Sequence, residues 1–283
     1  MKKGQMKKVI LGLFAVCFCV MVCKMPVKAS MYTLLNPGTF DYVAYADRYP
    51  DLKAVYGYDP NLLYSHYINN GIYENRIGTL SRWAFLNPAT FNADAYREDY
   101  PELASKYGAN NLALFQHYQT TGVKEGRKVH AVIPEAEAMM GIMDTAREIT
   151  KNCTTDRQKI QAVHDWMCVN LDFNYVNWMN NSVQPWAYTY TGAWNTKEAV
   201  GQGYAEMFDA FMWSLGIPDR VIIGQGYYAT GWGPHAWNQV KVDGKWLCMD
   251  VCWDDPFTVK PGVVQSYQYF LIPTQQMLVN HKG

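Results

Sequence analysis

His235 and Asp250 have the types and spacing for acid–base chemistry. They lie in two strand-like runs, His235–Val242 and Lys245–Trp253, joined by Asp243-Gly244, a strong two-residue hairpin signal. If Val242 pairs with Lys245, counting back sets Trp237 opposite Asp250 and His235 opposite Cys252. His235 and Asp250 are then diagonal neighbours on one face, within reach of an imidazole–carboxylate hydrogen bond. A carboxylate that holds an imidazole in one tautomer supplies two parts of a nucleophilic triad. The third part would be a thiol or hydroxyl at a helix N-terminus, where the dipole lowers a cysteine pKa.

The elements that must position this pair are legible upstream. After Gly201, the residues Ala205, Phe208, Met212 and Leu215 recur at helical spacing on one face, and Gly216 and Pro218 stop the helix. Val221–Ile223 reads as a short apolar strand. Pro134–Thr150 and Thr155–Leu171 read as amphipathic helices, the second opened by Thr154-Thr155-Asp156. Residues 172–195 are aromatic and irregular.

Four motifs in this order resemble the transglutaminase-like, papain-fold superfamily in its secreted bacterial branch. That branch reads G-V-C-x-G-Y-A, then H-A-W-N, then D-V-T-W-D-D-P. The matching residues here are Ala199-Val200-Gly201-Gln202-Gly203-Tyr204-Ala205, His235-Ala236-Trp237-Asn238 and Asp250-Val251-Cys252-Trp253-Asp254-Asp255-Pro256. Ile160–Phe173 and the tail Tyr267–His281 extend the match over roughly the last 130 residues. The resemblance implies helices packed on an antiparallel sheet, a Cys-His-Asp site, and a cleft for peptide or amide substrates. The family's cysteine falls on Gly201, which leaves the nucleophile position vacant beside His235 and Asp250. Cys252, where the family has Thr, is the candidate for a relocated nucleophile. A mid-strand thiol, however, lacks the helix N-terminus that would activate it.

Nine of the ten tryptophans lie between 166 and 253, so packing and ligand platforms are both to be weighed there. Trp166, Trp213 and Trp246 read as core and inter-element packing. Trp178, Trp186, Trp194 and Trp232 flank the expected cleft, and Trp194, Gln202, Trp232 and Trp237 are the substrate-binding candidates. His164-Asp165-Trp166 reads as structural, and His130 and His281 carry no signal. No Gly-rich phosphate loop or metal-ligand spacing occurs, so neither a cofactor nor a metal is expected.

The start of the chain is of another kind. Lys2, Lys3, Lys7 and Lys8 precede an uncharged run, Val9–Val22, of signal-peptide length and too short to span a bilayer. Val27-Lys28-Ala29 suits cleavage before Ser30, and the bulky Val22 disfavours a lipid anchor at Cys23. The expectation is secretion or surface exposure from a Gram-positive bacterium, with no membrane span after cleavage. The full chain has 25 basic and 25 acidic residues; the leader removes six lysines and no acid, leaving a net charge of −6. That balance argues against a nucleic-acid partner. Cys153, Cys168, Cys248 and Cys252 remain, with a Cys153–Cys168 bridge and free thiols both open.

Between leader and candidate site, residues 35–77 and 86–128 are two copies of one motif. They share Phe40/Phe91, Tyr45/Tyr96, Pro50/Pro101, His66/His117, Tyr67/Tyr118, Gly71/Gly122 and Arg76/Arg127. Each copy reads as two short helices with a Pro-capped break, and His66 and His117 read as structural. The copies resemble repeats of secreted clostridial wall-associated proteins, which implies a spacer or cell-wall attachment role.

The expected fold is therefore α+β: a leader (1–29), two helical repeats (30–130) and a papain-like transglutaminase domain (131–283). The leading functional expectation is a catalytically degenerate module that binds a peptide, protein or peptidoglycan-derived ligand. The alternatives are an active thiol protease, amidase or crosslinking transglutaminase using a relocated cysteine, or envelope attachment through the repeats.

Overall fold

The computed structural model describes residues 35, 40–74, 76, 78–79, 81–255, 264 and 266–283. The expected leader and Pro256 of the third motif lie outside them. The described residues belong to one compact unit, Leu34–Gly283. Among them no helix is long and apolar enough to cross a membrane.

The first repeat forms α1 (Tyr42–Arg48), α2 (Pro50–Tyr56) and α3 (Pro60–His66), with a π-helical turn at Tyr67–Gly71. The second repeats this with α4 (Ala93–Asp99), α5 (Pro101–Tyr107), α6 (Asn111–His117) and a turn at Tyr118–Gly122. Each copy thus has three helices where the sequence suggests two. Pro50 and Pro101 open α2 and α5, as proline at a first helical position does. Gly57 and Gly108, at φ 58° and 55°, then turn the chain into the third helix. Inside each copy the tyrosine hydroxyl meets the recurring histidine: Tyr45 and His66 Nδ1, like Tyr96 and His117 Nδ1, are 3.2 Å apart. Both histidines are structural.

The repeats pack onto the two long helices after them. Arg48 pairs with Asp156 at 3.1 Å and Arg82 with Asp144 at 2.5 Å. Met140 and Met143 join the core of the second repeat. Met140, Met143 and Asp144 belong to α7 (Pro134–Thr150), which the sequence places correctly. α8 (Asp156–Asn170) starts with a complete capping box, Thr155 accepting from Gln158 N–H while the Gln158 side chain reaches back.

β1 (Asp172–Phe173), α9 (Tyr175–Met179), α10 (Tyr190–Thr196) and β2 (Glu198–Ala199) lead into α11 (Gly201–Ser214). The helix buries Phe208, Phe211 and Met212 completely and ends at Gly216, φ 64°, the left-handed cap expected after the apolar stripe. β3 (Asp219–Tyr228), β4 (Gly231–Val242), β5 (Lys245–Met249) and the late β6 (His281–Lys282) form one antiparallel sheet in the order β5-β4-β3-β6. α12 (Val251–Asp254) and α13 (Thr274–Met277) flank it. The fold is α+β, with helices packed on an antiparallel sheet, as expected.

Val242 pairs with Lys245, as the Asp-Gly turn demands, but pairing ends at Asn238–Met249. Asp250 leaves the sheet to cap α12, accepting from Trp253 N–H at 3.1 Å. Cys252 is therefore in a helical turn, not on a strand facing His235. The N-cap carboxylate explains the departure, since Asp is as strong a helix starter as the sequence offers there. All four described cysteines are free thiols. Trp213 is buried, and Trp166 is half-buried against Phe211. Trp246 is 39% exposed and packs between elements, with the Arg220 guanidinium of β3 over its ring.

Candidate functional site

Gly201 is the first residue of α11, and its N-cap, Val200, provides no side-chain cap. The opening N–H groups of the helix therefore face outward with the positive end of its dipole. His235 comes from β4, and its ring points back at this helix start. A Cβ placed on Gly201 would lie 2.6 Å from His235 Nδ1 and 2.8 Å from Cε1. On the other side of the ring, Nε2 lies 2.7 Å from Asp250 Oδ2. His235 and Asp250 are 7% and 1% exposed. Burial works to raise the Asp250 pKa, but His235 and His281 outweigh it and hold the carboxyl down at about 2. The carboxylate is thus ionised, and a group at position 201 would meet the nitrogen opposite it.

Aromatic rings fix the imidazole. Trp253 stacks on His235 at a centroid distance of 4.9 Å, and Trp237 lies at 6.3 Å, nearly parallel. Gly226 of β3 makes this possible, since a Cβ there would come 2.6 Å from the Trp253 ring. Tyr228 approaches His235 edge-on at 6.1 Å and continues to Trp178 at 5.7 Å. A run of half-buried and exposed rings, Tyr228, Trp178 and Tyr175, thus leads outward from the imidazole.

The other sequence candidates lie variously. Gln202, half-buried on the first turn of α11, donates to Glu206 at 3.2 Å. Trp237 is buried in the wall behind His235. Trp232 is 37% exposed on the β3–β4 hairpin, with Lys282 Nζ 3.7 Å above its ring and Tyr227 against it. Trp194 is joined instead to Trp166, stacked at 5.7 Å, and to Lys197, 3.6 Å above its ring. Cys252 is buried, and burial, with Asp250 and Asp255 adding to it, pushes its thiol well above the ordinary range. Such a thiol stays protonated and unreactive.

Asn238 is also buried, and its Nδ2 donates to Ala205 O at 3.0 Å and Asp219 Oδ2 at 2.8 Å. Burial and the neighbouring Asp209 carboxyl push Asp219 well above the usual carboxylate range. Asp219 Oδ1 otherwise lacks a donor, and a proton shared with Asp209 satisfies it. A raised carboxyl pKa contributes stability at low pH that is lost as pH rises through the folded value. Asp219→Asn keeps the acceptor for Asn238 and supplies its own donor to Asp209. It is expected to stabilise the protein by about 1 kcal/mol at pH values above the folded pKa of that carboxyl and to flatten the decline of Tm with rising pH, measured by calorimetry.

The residue that sequence reading missed is His281. It belongs to β6, pairs with Gly226 of β3, and places Nε2 2.9 Å from Asp250 Oδ2. The tail resemblance contained it, but nothing in its spacing linked it to Asp250.

Residues 143–251 match the model of the transglutaminase-like superfamily. Over this stretch the chain is similar to transglutaminase-like domains. The domain's match spans all three of Gly201, His235 and Asp250. Over 171 residues the chain is 22% identical to human kyphoscoliosis peptidase, a span that is 56% of this chain and 26% of the relative. The mouse protein of the same name gives 22% over 166 residues, covering 54% of this chain and 25% of the relative. The chain thus spans about a quarter of the length of the curated relatives it matches. Among solved structures, one described as a TGase is 16% identical, covers 54% of this chain and 37% of its own, and superposes with a TM-score of 0.34.

Proposed function

We propose that the transglutaminase-like domain is a disarmed member of its superfamily that binds peptide or wall-derived ligands without cleaving them. The observation that carries this reading is that a Cβ at position 201 would lie 2.6 Å from His235 Nδ1, while the residue there is glycine. The position that would meet the imidazole nitrogen opposite Asp250 holds only hydrogen, which cannot attack a carbonyl. What remains is a helix start with outward N–H groups, a buried imidazole, and an aromatic run leading away from it. Those groups suit recognition of an amide or carboxylate flanked by apolar side chains. Secretion through the leader and wall association through the repeats belong to the same proposal and would bring the domain to such ligands.

The test is to incubate the wild-type chain with synthetic peptidoglycan stem peptides and with unstructured peptides from a casein digest. Tryptophan fluorescence reads binding and mass spectrometry reads cleavage. Saturable binding, weakened at least about tenfold by Tyr228→Ala, with intact peptides after overnight incubation, is the expected result. Turnover by the wild type, or an absence of binding across both panels, would overturn the reading.

A further inference from the structure

Asp250 is shared by two imidazoles. His235 Nε2 and His281 Nε2 approach the same oxygen, Oδ2, at 2.7 and 2.9 Å. The three donor atoms lie within 4.8 Å of one another, on side chains that are 2%, 0% and 1% exposed for His235, His281 and Asp250. The Trp253 N–H holds Oδ1, so Oδ2 is the oxygen turned to both rings.

The far side of His281 matters most. Its Nδ1 lies 2.8 Å from Asn280 Oδ1, while Asn280 Nδ2 donates to the Tyr269 hydroxyl at 2.6 Å. An amide oxygen only accepts, so the ring nitrogen facing it carries a proton. In a neutral ring that leaves Nε2 as a lone pair aimed at a carboxylate oxygen. Two such acceptors repel at 2.9 Å unless positive charge lies between them. A second proton on His281 supplies that charge, and so does a cation. An N–H···O bond on the remote ring nitrogen is also the device by which proteins hold a metal-binding histidine in the required tautomer.

His235 can take the matching tautomer because of Gly201. A thiol at that position would engage Nδ1 and keep the other proton on Nε2, toward Asp250. Glycine makes no such demand, so the proton can reside on Nδ1 and free Nε2. Around the three donors, Trp253, Trp237 and Tyr269 form a dry aromatic wall, with ring centroids 4.4, 4.8 and 5.5 Å from His281.

We propose that His235 Nε2, His281 Nε2 and Asp250 Oδ2 form a binding site for a divalent transition cation of the zinc class. Two imidazole nitrogens and one carboxylate oxygen select against calcium and magnesium, which take all-oxygen shells. Donor bonds of about 2.0–2.2 Å at tetrahedral angles require donor separations near 3.3 Å. The two contacts to Oδ2 therefore open by about half an ångström on binding, a rotation of the Asp250 side chain.

The experiment uses the full chain, treated with chelator and dialysed, and titrated with zinc by calorimetry and with cobalt(II) by visible absorption. The expected result is one ion per chain with a tetrahedral cobalt spectrum. His281→Gln should weaken zinc binding at least about 100-fold, and Asn280→Ala, which touches no ion, about tenfold. Circular dichroism and Tm establish that each variant is folded; if His281→Gln does not fold, Asn280→Ala decides. His130, 2.9 Å from Glu137 and 3.3 Å from Asp99, offers a rival surface site, and His130→Ala should leave binding unchanged. No stoichiometric binding by the wild type, binding indifferent to Asn280→Ala or His281→Gln, or binding lost with His130→Ala would each overturn the proposal.

Discussion

Gly201→Cys is expected to create a thiol alkylated by iodoacetamide at pH 7 some 10–30-fold faster than free cysteine. The new sulfur would sit at the start of a 14-residue helix with no side-chain cap, beside the imidazole nitrogen opposite Asp250. Dipole and imidazole both favour thiolate, shifting its pKa from about 8.5 to below 7.5. Among the described residues the wild type offers little background, since Cys168, Cys248 and Cys252 are buried and Cys153 is half-exposed. Space is the opposing term. At 2.6 Å from Nδ1 the new Cβ forces the ring back by several tenths of an ångström, against its Asp250 and Trp253 contacts. A stability loss of about 1–2 kcal/mol is therefore expected alongside the reactivity. Adding His235→Ala should return labelling to the rate of an ordinary cysteine. If Gly201→Cys also gains amide hydrolysis or amine incorporation, the wild type is a disarmed enzyme. If the wild type already turns over, the proposed function fails.

His164→Leu should cost about 3–5 kcal/mol of folding free energy, read from urea unfolding. His164 is completely buried; its Nε2 meets Asp254 Oδ2 at 3.3 Å and its Nδ1 meets Asp165 at 2.9 Å. Burial alone would lower its pKa, but the two carboxylates outweigh burial and raise it to about 11. The ring is therefore a cation at neutral pH, and leucine would leave Asp254 a buried, uncompensated charge. Asp254 also accepts the Tyr269 N–H at 3.0 Å, so its displacement would loosen the tail that carries His281. The raised value sets the sign of the pH effect. The contribution is complete below about pH 6.5, the unfolded pKa, and is lost as pH rises through about 11. The variant should lack that alkaline decline.

Local signals made much of the fold legible. The Asp243-Gly244 turn set the register of β4 and β5, the apolar stripe and Gly216 bounded α11, and Thr155 marked the start of α8. Each depends on residues within a turn or two of one another. The features that sequence did not reveal depend on distance. His281 joins Asp250 across 31 residues through a two-residue strand that no periodicity announces. The strand pattern runs on through Asp250 and so points Cys252 at His235, whereas the capping hydrogen bond of Asp250 starts a helical turn there. The third helix of each repeat is hidden in the sequence because its caps, Asp59 and Asn110, come shortly after glycines that read as loop.

Met140 and Met143 lie in the core of the second repeat although they belong to the helix that opens the C-terminal half, and Arg82 of the repeat segment reaches Asp144 on the same helix. Whatever boundary is drawn near residues 128–133, packing crosses it. The repeat and the domain share side chains, and so they share one cooperative free energy of folding. A ligand that stabilises the cleft would also slow the opening of the repeat, and damage to the repeat would raise the unfolded population of the cleft.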